Sequence, residues 1–168
     1  SALLVQENGE NDDFTFPTNS YFEAGSYAVG NLNVGEDVDL SLYPGSTEPV
    51  VFNGAGDATL AGNSNLNGNG AGFPQMQGAG APATNGGFYG GSGAGYGGIG
   101  GMARDAGNPG AVYGEAQANE PLEVGSGGAF ASCGAMGGNG GGAWKLNFPS
   151  GTVTIDGTIS ANGNPGTP

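Results

Sequence analysis

Asp57-Ala58-Thr59-Leu60-Ala61-Gly62-Asn63-Ser64-Asn65-Leu66-Asn67-Gly68-Asn69 returns 95 positions later as Thr152-Val153-Thr154-Ile155-Asp156-Gly157-Thr158-Ile159-Ser160-Ala161-Asn162-Gly163-Asn164. At that offset Thr59/Thr154, Gly62/Gly157, Asn67/Asn162, Gly68/Gly163 and Asn69/Asn164 are identical, and Ala58/Val153 and Leu60/Ile155 keep one apolar face. Val51/Leu146 extends the match upstream. Short strands that turn at Gly and Asn and come back with the same face inward suit the rungs of a β-solenoid. The alternative is two similar hairpins in a β-sandwich with Gly-rich loops.

The pattern spreads outward from this repeat. Apolar residues alternate at Leu32/Val34, Val38/Leu40/Leu42, Trp144/Leu146/Phe148 and Val153/Ile155. A period of two is the mark of strands with one buried face. Gly35-Glu36-Asp37, Tyr43-Pro44-Gly45 and Asn53-Gly54 punctuate them as turns. No helical stripe occurs, and each glycine would penalise a helix by about 1 kcal/mol relative to alanine. The expected class is all-β: an N-terminal strand and acidic linker over 1–13, then a single β domain over 14–168 with a glycine-rich insert at about 70–142.

Glycine fills 39 of 168 positions and histidine none. Because glycine loses the most freedom on ordering, such a chain is either disordered or uses bare backbone as a packing surface. Gly95, Gly98, Gly101, Gly107, Gly110, Gly125, Gly128, Gly134, Gly137 and Gly140 share one register of three. That is the period of polyproline II, whose glycine face lets neighbouring backbones touch. Long Gly-rich loops between rungs are the other reading, and the interruption from Tyr113 to Leu122 suits them. Either way Phe88, Tyr89, Tyr96, Tyr113 and Phe130 are expected to cover the glycine layer.

Several blocks together resemble secreted, glycine-rich microbial surface proteins with β-helical folds. They are Tyr27-Ala28-Val29-Gly30-Asn31-Leu32-Asn33-Val34, Pro49-Val50-Val51-Phe52, Asn67-Gly68-Asn69-Gly70-Ala71-Gly72 and Gly90-Gly91-Ser92-Gly93-Ala94-Gly95-Tyr96. Leu122-Glu123-Val124-Gly125-Ser126-Gly127-Gly128 and Gly141-Gly142-Ala143-Trp144-Lys145-Leu146, with Asp156 to Gly163, complete the order. The resemblance implies β-helical rungs and an extracellular or cell-surface location, and it carries over no catalytic residue. The start at Ser1 without a basic leader suits a mature secreted chain.

Charge narrows the partners. Fifteen acids face only Arg104 and Lys145, a formal net charge of −13. Nucleic acid is excluded, because phosphate recognition rests on Lys and Arg. No apolar run approaches the roughly 18 residues of a membrane span, so membrane insertion is not expected. The lone Cys133 forms no intrachain disulfide and reads as a small buried hydrophobe, with intermolecular pairing as the alternative. Asp12, Asp13, Glu36 and Asp37 are the candidate calcium ligands, since calcium takes carboxylate and carbonyl oxygens in tight loops; otherwise they form a solvated acidic surface.

Catalysis is not expected and no cofactor is implied. Carboxylate pairs suit glycosidase work, yet no histidine and two bases leave little to stabilise developing charge. The glycine strings lack the helix N-terminus and lysine of a phosphate loop. Thr152, Thr154 and Thr158 make too short a row for an ice-binding array. Ser1-Ala2-Leu3-Leu4-Val5-Gln6 is an apolar strand-former that either folds into its own domain or adds to a neighbouring copy. With no polar cap after Gly163, head-to-tail contacts that do not close give filaments. The expected function is a structural subunit of an extracellular filament or surface fibre. It would be a homopolymer with Leu3, Leu4 and Val5 at the subunit interface. The alternative is a carbohydrate- or surface-binding adhesive module with surface polysaccharide as partner and Tyr21, Phe22 and Tyr43 as platform.

Overall fold

The computed structural model describes residues 12–84, 86–88, 90–96, 99–104, 107–114 and 123–167. These residues form β structure and no helix. The chain divides into two compact units. The first takes Ser1–Tyr43, Pro49–Gly68 and Trp144–Ser160; the second takes Pro44–Glu48, Asn69–Ala143 and Ala161–Pro168.

All eleven strands belong to the first unit: β1 (Phe14–Phe16), β2 (Ser20–Phe22), β3 (Gly25–Val29), β4 (Leu32–Val34), β5 (Asp39–Leu42), β6 (Val50–Gly54), β7 (Ala58–Leu60), β8 (Asn65–Asn67), β9 (Trp144–Asn147), β10 (Val153–Ile155) and β11 (Thr158–Ser160). They pair in three sheets of order β1-β4-β7-β10, β11-β8-β5-β2 and β3-β6-β9. Every pairing is parallel. The chain therefore visits the three sheets in turn, and every third strand lands beside its predecessor.

Parallel pairing in register stacks like positions into columns. Phe16, Val34, Leu60 and Ile155 form one, and Leu40, Leu66 and Ile159 another. Inward positions are buried while the residues between them stay at least partly exposed, as in Leu32-Asn33-Val34 and Ala58-Thr59-Leu60. Parallel sheets usually read as unbroken apolar runs because both faces are covered. Here one face is wet, and the alternation survives. One core serves all three sheets: the Phe22 ring centroid lies 5.4 Å from Phe16, 5.5 Å from Tyr27, 5.4 Å from Phe52 and 6.1 Å from Trp144. Burying such side chains stabilises by about 1.5–3 kcal/mol each.

The 95-residue repeat is stacked over its first strand only. Ala58 pairs with Val153, Thr59 with Thr154 and Leu60 with Ile155. Beyond it Asn65 pairs with Thr158, Leu66 with Ile159 and Asn67 with Ser160. The turn Ala61–Ser64 is replaced by Asp156-Gly157, two residues shorter, so the register moves by two. Asn67/Asn162 and Gly68/Gly163, identical in sequence, are not partners. Upstream, Leu146 pairs with Phe52 rather than Val51.

The second unit has no strand among its described residues, yet its segments are bonded through their backbones. Gly72 donates to Gly140 O at 2.8 Å, Gly140 to Phe73 O at 2.9 Å, Phe73 to Gly125 O at 2.9 Å and Gly125 to Gly141 O at 2.7 Å. A second set runs Gly93 to Gly101 O, Gly100 to Gly110 O and Gly110 back to Gly93 O. Each set joins three segments mutually, so the bonds leave every segment in more than one direction instead of lying in a sheet plane. The approach is close enough that a Cβ at Gly95, Gly110, Gly137 or Gly140 would collide with a neighbouring carbonyl oxygen. Cys133 is exposed, contrary to expectation; it lies in a turn closed by the Gly134 N–H on Ala131 O at 3.0 Å, outside any apolar layer.

Glycine positions should thus separate sharply. Gly140→Ala, whose Cβ meets the Gly125 carbonyl, is expected to destabilise the protein by about 1–3 kcal/mol. Gly101→Ala, with nothing within 4 Å, should be neutral or stabilise by about 0.4–1 kcal/mol. Urea melts of the two variants beside the parent check this.

Candidate functional site

The last strands of two sheets, β10 and β11, end the order of their sheets on one side. Val153, Ile155 and Ile159 occupy inward columns there, above Ala58, Leu60 and Leu66, which are fully buried. Yet these three are 39%, 47% and 41% exposed. At the other end of the stack Phe16, Phe22 and Val29 are buried. Inward residues are thus buried on the first strands of the β unit and half-exposed on the last described ones.

That last edge also presents backbone. Along the first sheet Phe14 donates to Asn31 O at 2.8 Å, Leu32 to Asp57 O at 2.9 Å and Ala58 to Thr152 O at 2.9 Å. In this register the next donor is the Val153 N–H, on the outer edge of the final strand. Proteins commonly protect such edges with charges, proline or bulges. Val153-Thr154-Ile155 and Thr158-Ile159-Ser160 contain neither a charge nor a proline. The charge nearest in sequence is Asp156, in the turn between them.

A side-chain ladder runs beside the same sheet. Asp13 Oδ1 accepts both the backbone N–H and the Nδ2–H of Asn31 at 2.8 Å. Asn31 Oδ1 accepts the Asp57 N–H at 2.7 Å, and Asp57 Oδ1 accepts the Thr152 N–H at 2.7 Å. Each circuit therefore hands one acceptor to the next. Asn19 Oδ1 does the same for the Asp39 N–H at the following corner. The ladder was not read from the sequence, although an Asp or Asn directly before β1, β4 and β7 was the available signal.

The expected site residues scatter. Asp13 is engaged in the ladder, and the Asp12 carbonyl accepts the Gly30 N–H at 2.8 Å. Glu36 and Asp37 lie exposed in the turn before β5, with Asp37 at φ 57°. Among the described residues no group of three or more His, Cys, Asp or Glu is placed to hold a metal ion. Leu3, Leu4 and Val5 lie outside the described residues. Phe22 is buried and cannot serve as a surface platform: the period of β2 turns Tyr21 outward and Phe22 into the core. Tyr21 and Tyr43 are exposed, with ring centroids 5.4 Å apart.

Comparison with protein families, with characterised proteins and with solved structures finds no match to the chain. No helix among the described residues is long and apolar enough to cross a membrane.

Tyr27, on β3, donates its hydroxyl to Glu23 O at 2.8 Å. Burial holds its ionisation above the ordinary tyrosine value of about 10, and the Glu23 charge adds to the effect. The folded state then keeps its proton where the unfolded state loses it. Stability is complete below about pH 10 and falls as pH rises through the folded value. Denaturant midpoints taken from pH 8 to 11 should fall only above about pH 10, and less in Tyr27→Phe.

Proposed function

We propose that this chain is a structural subunit of an extracellular filament or surface fibre, adding copies head to tail at the open end of the β unit. The observation that carries the reading is the exposure of Val153, Ile155 and Ile159 at the end of columns that are otherwise buried. The cyclic succession of sheets is read here as a β-solenoid of four circuits, the fourth incomplete, and the triply bonded glycine segments as a polyproline II-like bundle. A solenoid with an uncapped end grows by pairing.

Magnitudes indicate what must dock. Completing the burial of three half-exposed aliphatic residues contributes roughly 3–4 kcal/mol. Association costs about 4–15 kcal/mol, so those residues alone hold copies together weakly. A strand laid along the edge adds main-chain hydrogen bonds, each about 0.5–1.5 kcal/mol net, and its own apolar side chains. Ser1 to Gln6 has that composition, and Leu3 and Val5, two residues apart, would present one face. This assigns Leu3, Leu4 and Val5 of one copy to the open end of the next, with the secreted location as part of the reading.

Electron microscopy of the purified chain tests it. Filaments are expected from the full chain and none after deletion of Ser1 to Gln6 or in Ile155→Asp/Ile159→Asp. Monodisperse particles from the full chain at high concentration would sink the reading.

A further inference from the structure

We propose that the outward face of the β2-β5-β8-β11 sheet binds an uncharged polysaccharide, a function separate from assembly at the open end. Tyr21 points outward from β2 and pairs with Ser41. Tyr43 follows β5 with the outward parity of Ser41, held by its N–H on Phe22 O at 3.0 Å. The two rings lie 5.4 Å apart at 36°, and 55% of Tyr21 and 43% of Tyr43 is exposed. Phe16, Phe22 and Phe52, a few residues away, are buried. The period of two along β2 and β5 puts both rings on the wet side.

Their surroundings are polar in a regular way. The outward columns read Tyr21-Ser41-Asn67-Ser160 and Asp39-Asn65-Thr158. Neighbouring strands lie about 4.8 Å apart, so hydroxyls and amides recur at that interval, roughly the length of one pyranose ring. A pyranose has an apolar face of C–H groups and a rim of hydroxyls. Aromatic rings take the first, and Ser, Thr and Asn side chains, which both donate and accept, take the second. A protein partner would want an apolar centre with a polar rim, and this face has two rings beside polar columns.

Charge fixes the class of sugar. Glu23 follows β2 beside Tyr43, and Asp39 stands on the same face. Lys145, the sole base of the β unit, lies on β9 in another sheet. An acidic polysaccharide would meet a chain of net charge −13 with no cation opposite it.

Pelleting of the full chain with cellulose, chitin, chitosan and insoluble cross-linked carboxymethyl cellulose, at about 0.15 M and about 1 M salt, tests this. Retention on cellulose or chitin is expected at both salt levels, with none on carboxymethyl cellulose at the lower one. Tyr21→Ala/Tyr43→Ala should bind about tenfold more weakly, with unchanged circular dichroism. Val153→Asp/Ile155→Asp, on β10 in another sheet, should bind as the parent does, which separates this site from the assembly reading. Failure to pellet with either neutral polymer would overturn the proposal. So would equal binding by the Tyr variant, or binding to chitosan alone that disappears in salt. A change in oligomeric size on removing the two tyrosines, without loss of pelleting, would assign the face to a second copy instead.

Discussion

In-register stacking of inward side chains is the constraint on which the β unit depends. Because each strand lies parallel beside its predecessor, inward side chains stack in register and most are covered by the residue of the next strand in the sheet. Size is balanced along the columns. Leu32, Ala58 and Val153 follow one another, and Val29 is followed by Gly54. Gly54 is needed because a Cβ there would enter the ring of Phe148, which is itself buried. Close packing of this kind tolerates little added volume. At the edge strands β10 and β11 the inward residues Val153, Ile155 and Ile159 are half-exposed, while their partners Ala58, Leu60 and Leu66 are fully buried.

The glycine unit solves the ordering problem by the opposite route. Its buried apolar residues are small, Ala71, Ala129, Ala131 and Ala143 with Val124. Little hydrophobic driving force is available to offset the entropy of so much glycine. What replaces it is the approach of bare backbones, which lets each segment bond to two others. Tyr96 and Tyr113 pack edge to face at 5.0 Å, and their hydroxyls close on Glu123 O and Val124 O. Of the aromatics expected to cover this layer, Tyr96 and Tyr113 pack together with their hydroxyls bonded, Phe88 is 61% exposed instead, and Tyr89 lies outside the described residues. Serines tie loops in the same way: Ser92 accepts from Ala103 and donates to Gly107 O.

Much of the β unit was legible because period two is a local property. The alternations at Leu32/Val34, Leu40/Leu42, Trp144/Leu146 and Val153/Ile155 all became strands. The repeat pointed correctly to stacking of Ala58 on Val153. It failed past Leu60, where a turn shorter by two residues preserves identities that do not touch. Identity at a fixed offset cannot report a deletion inside a turn. The glycine register of three was only partly informative. Gly95, Gly110, Gly137 and Gly140 meet neighbouring carbonyls, but so do Gly72, Gly100, Gly127 and Gly141, which lie outside it. Close approach is decided by which segments meet, and that is not written in spacing. For the candidate site, acid clustering suggested calcium at Asp12, Asp13, Glu36 and Asp37. Asp13 instead caps the next circuit, a use that needs the partner strand to be seen.

On the proposed assembly reading, charge and the exposed column ends act on different scales, and together they would favour growth along one axis. Repulsion between acidic copies extends about 8 Å at physiological ionic strength, whereas burial of aliphatic side chains operates only at contact. Apart from Tyr21 and Tyr43, the outward faces of the sheets carry acids and amides such as Asp39, Asn53, Asn147 and Asn65, which give a lateral neighbour little to bury against. The edges of β10 and β11 carry no charge to resist a strand. On that reading, copies that approach side by side would meet repulsion with little apolar surface to offset it. Copies that approach at the open end would meet the same repulsion together with unfilled columns and unprotected edge backbone. The acidity that keeps the sides apart is therefore compatible with pairing at the end, and screening by salt should ease approach without changing which surfaces fit.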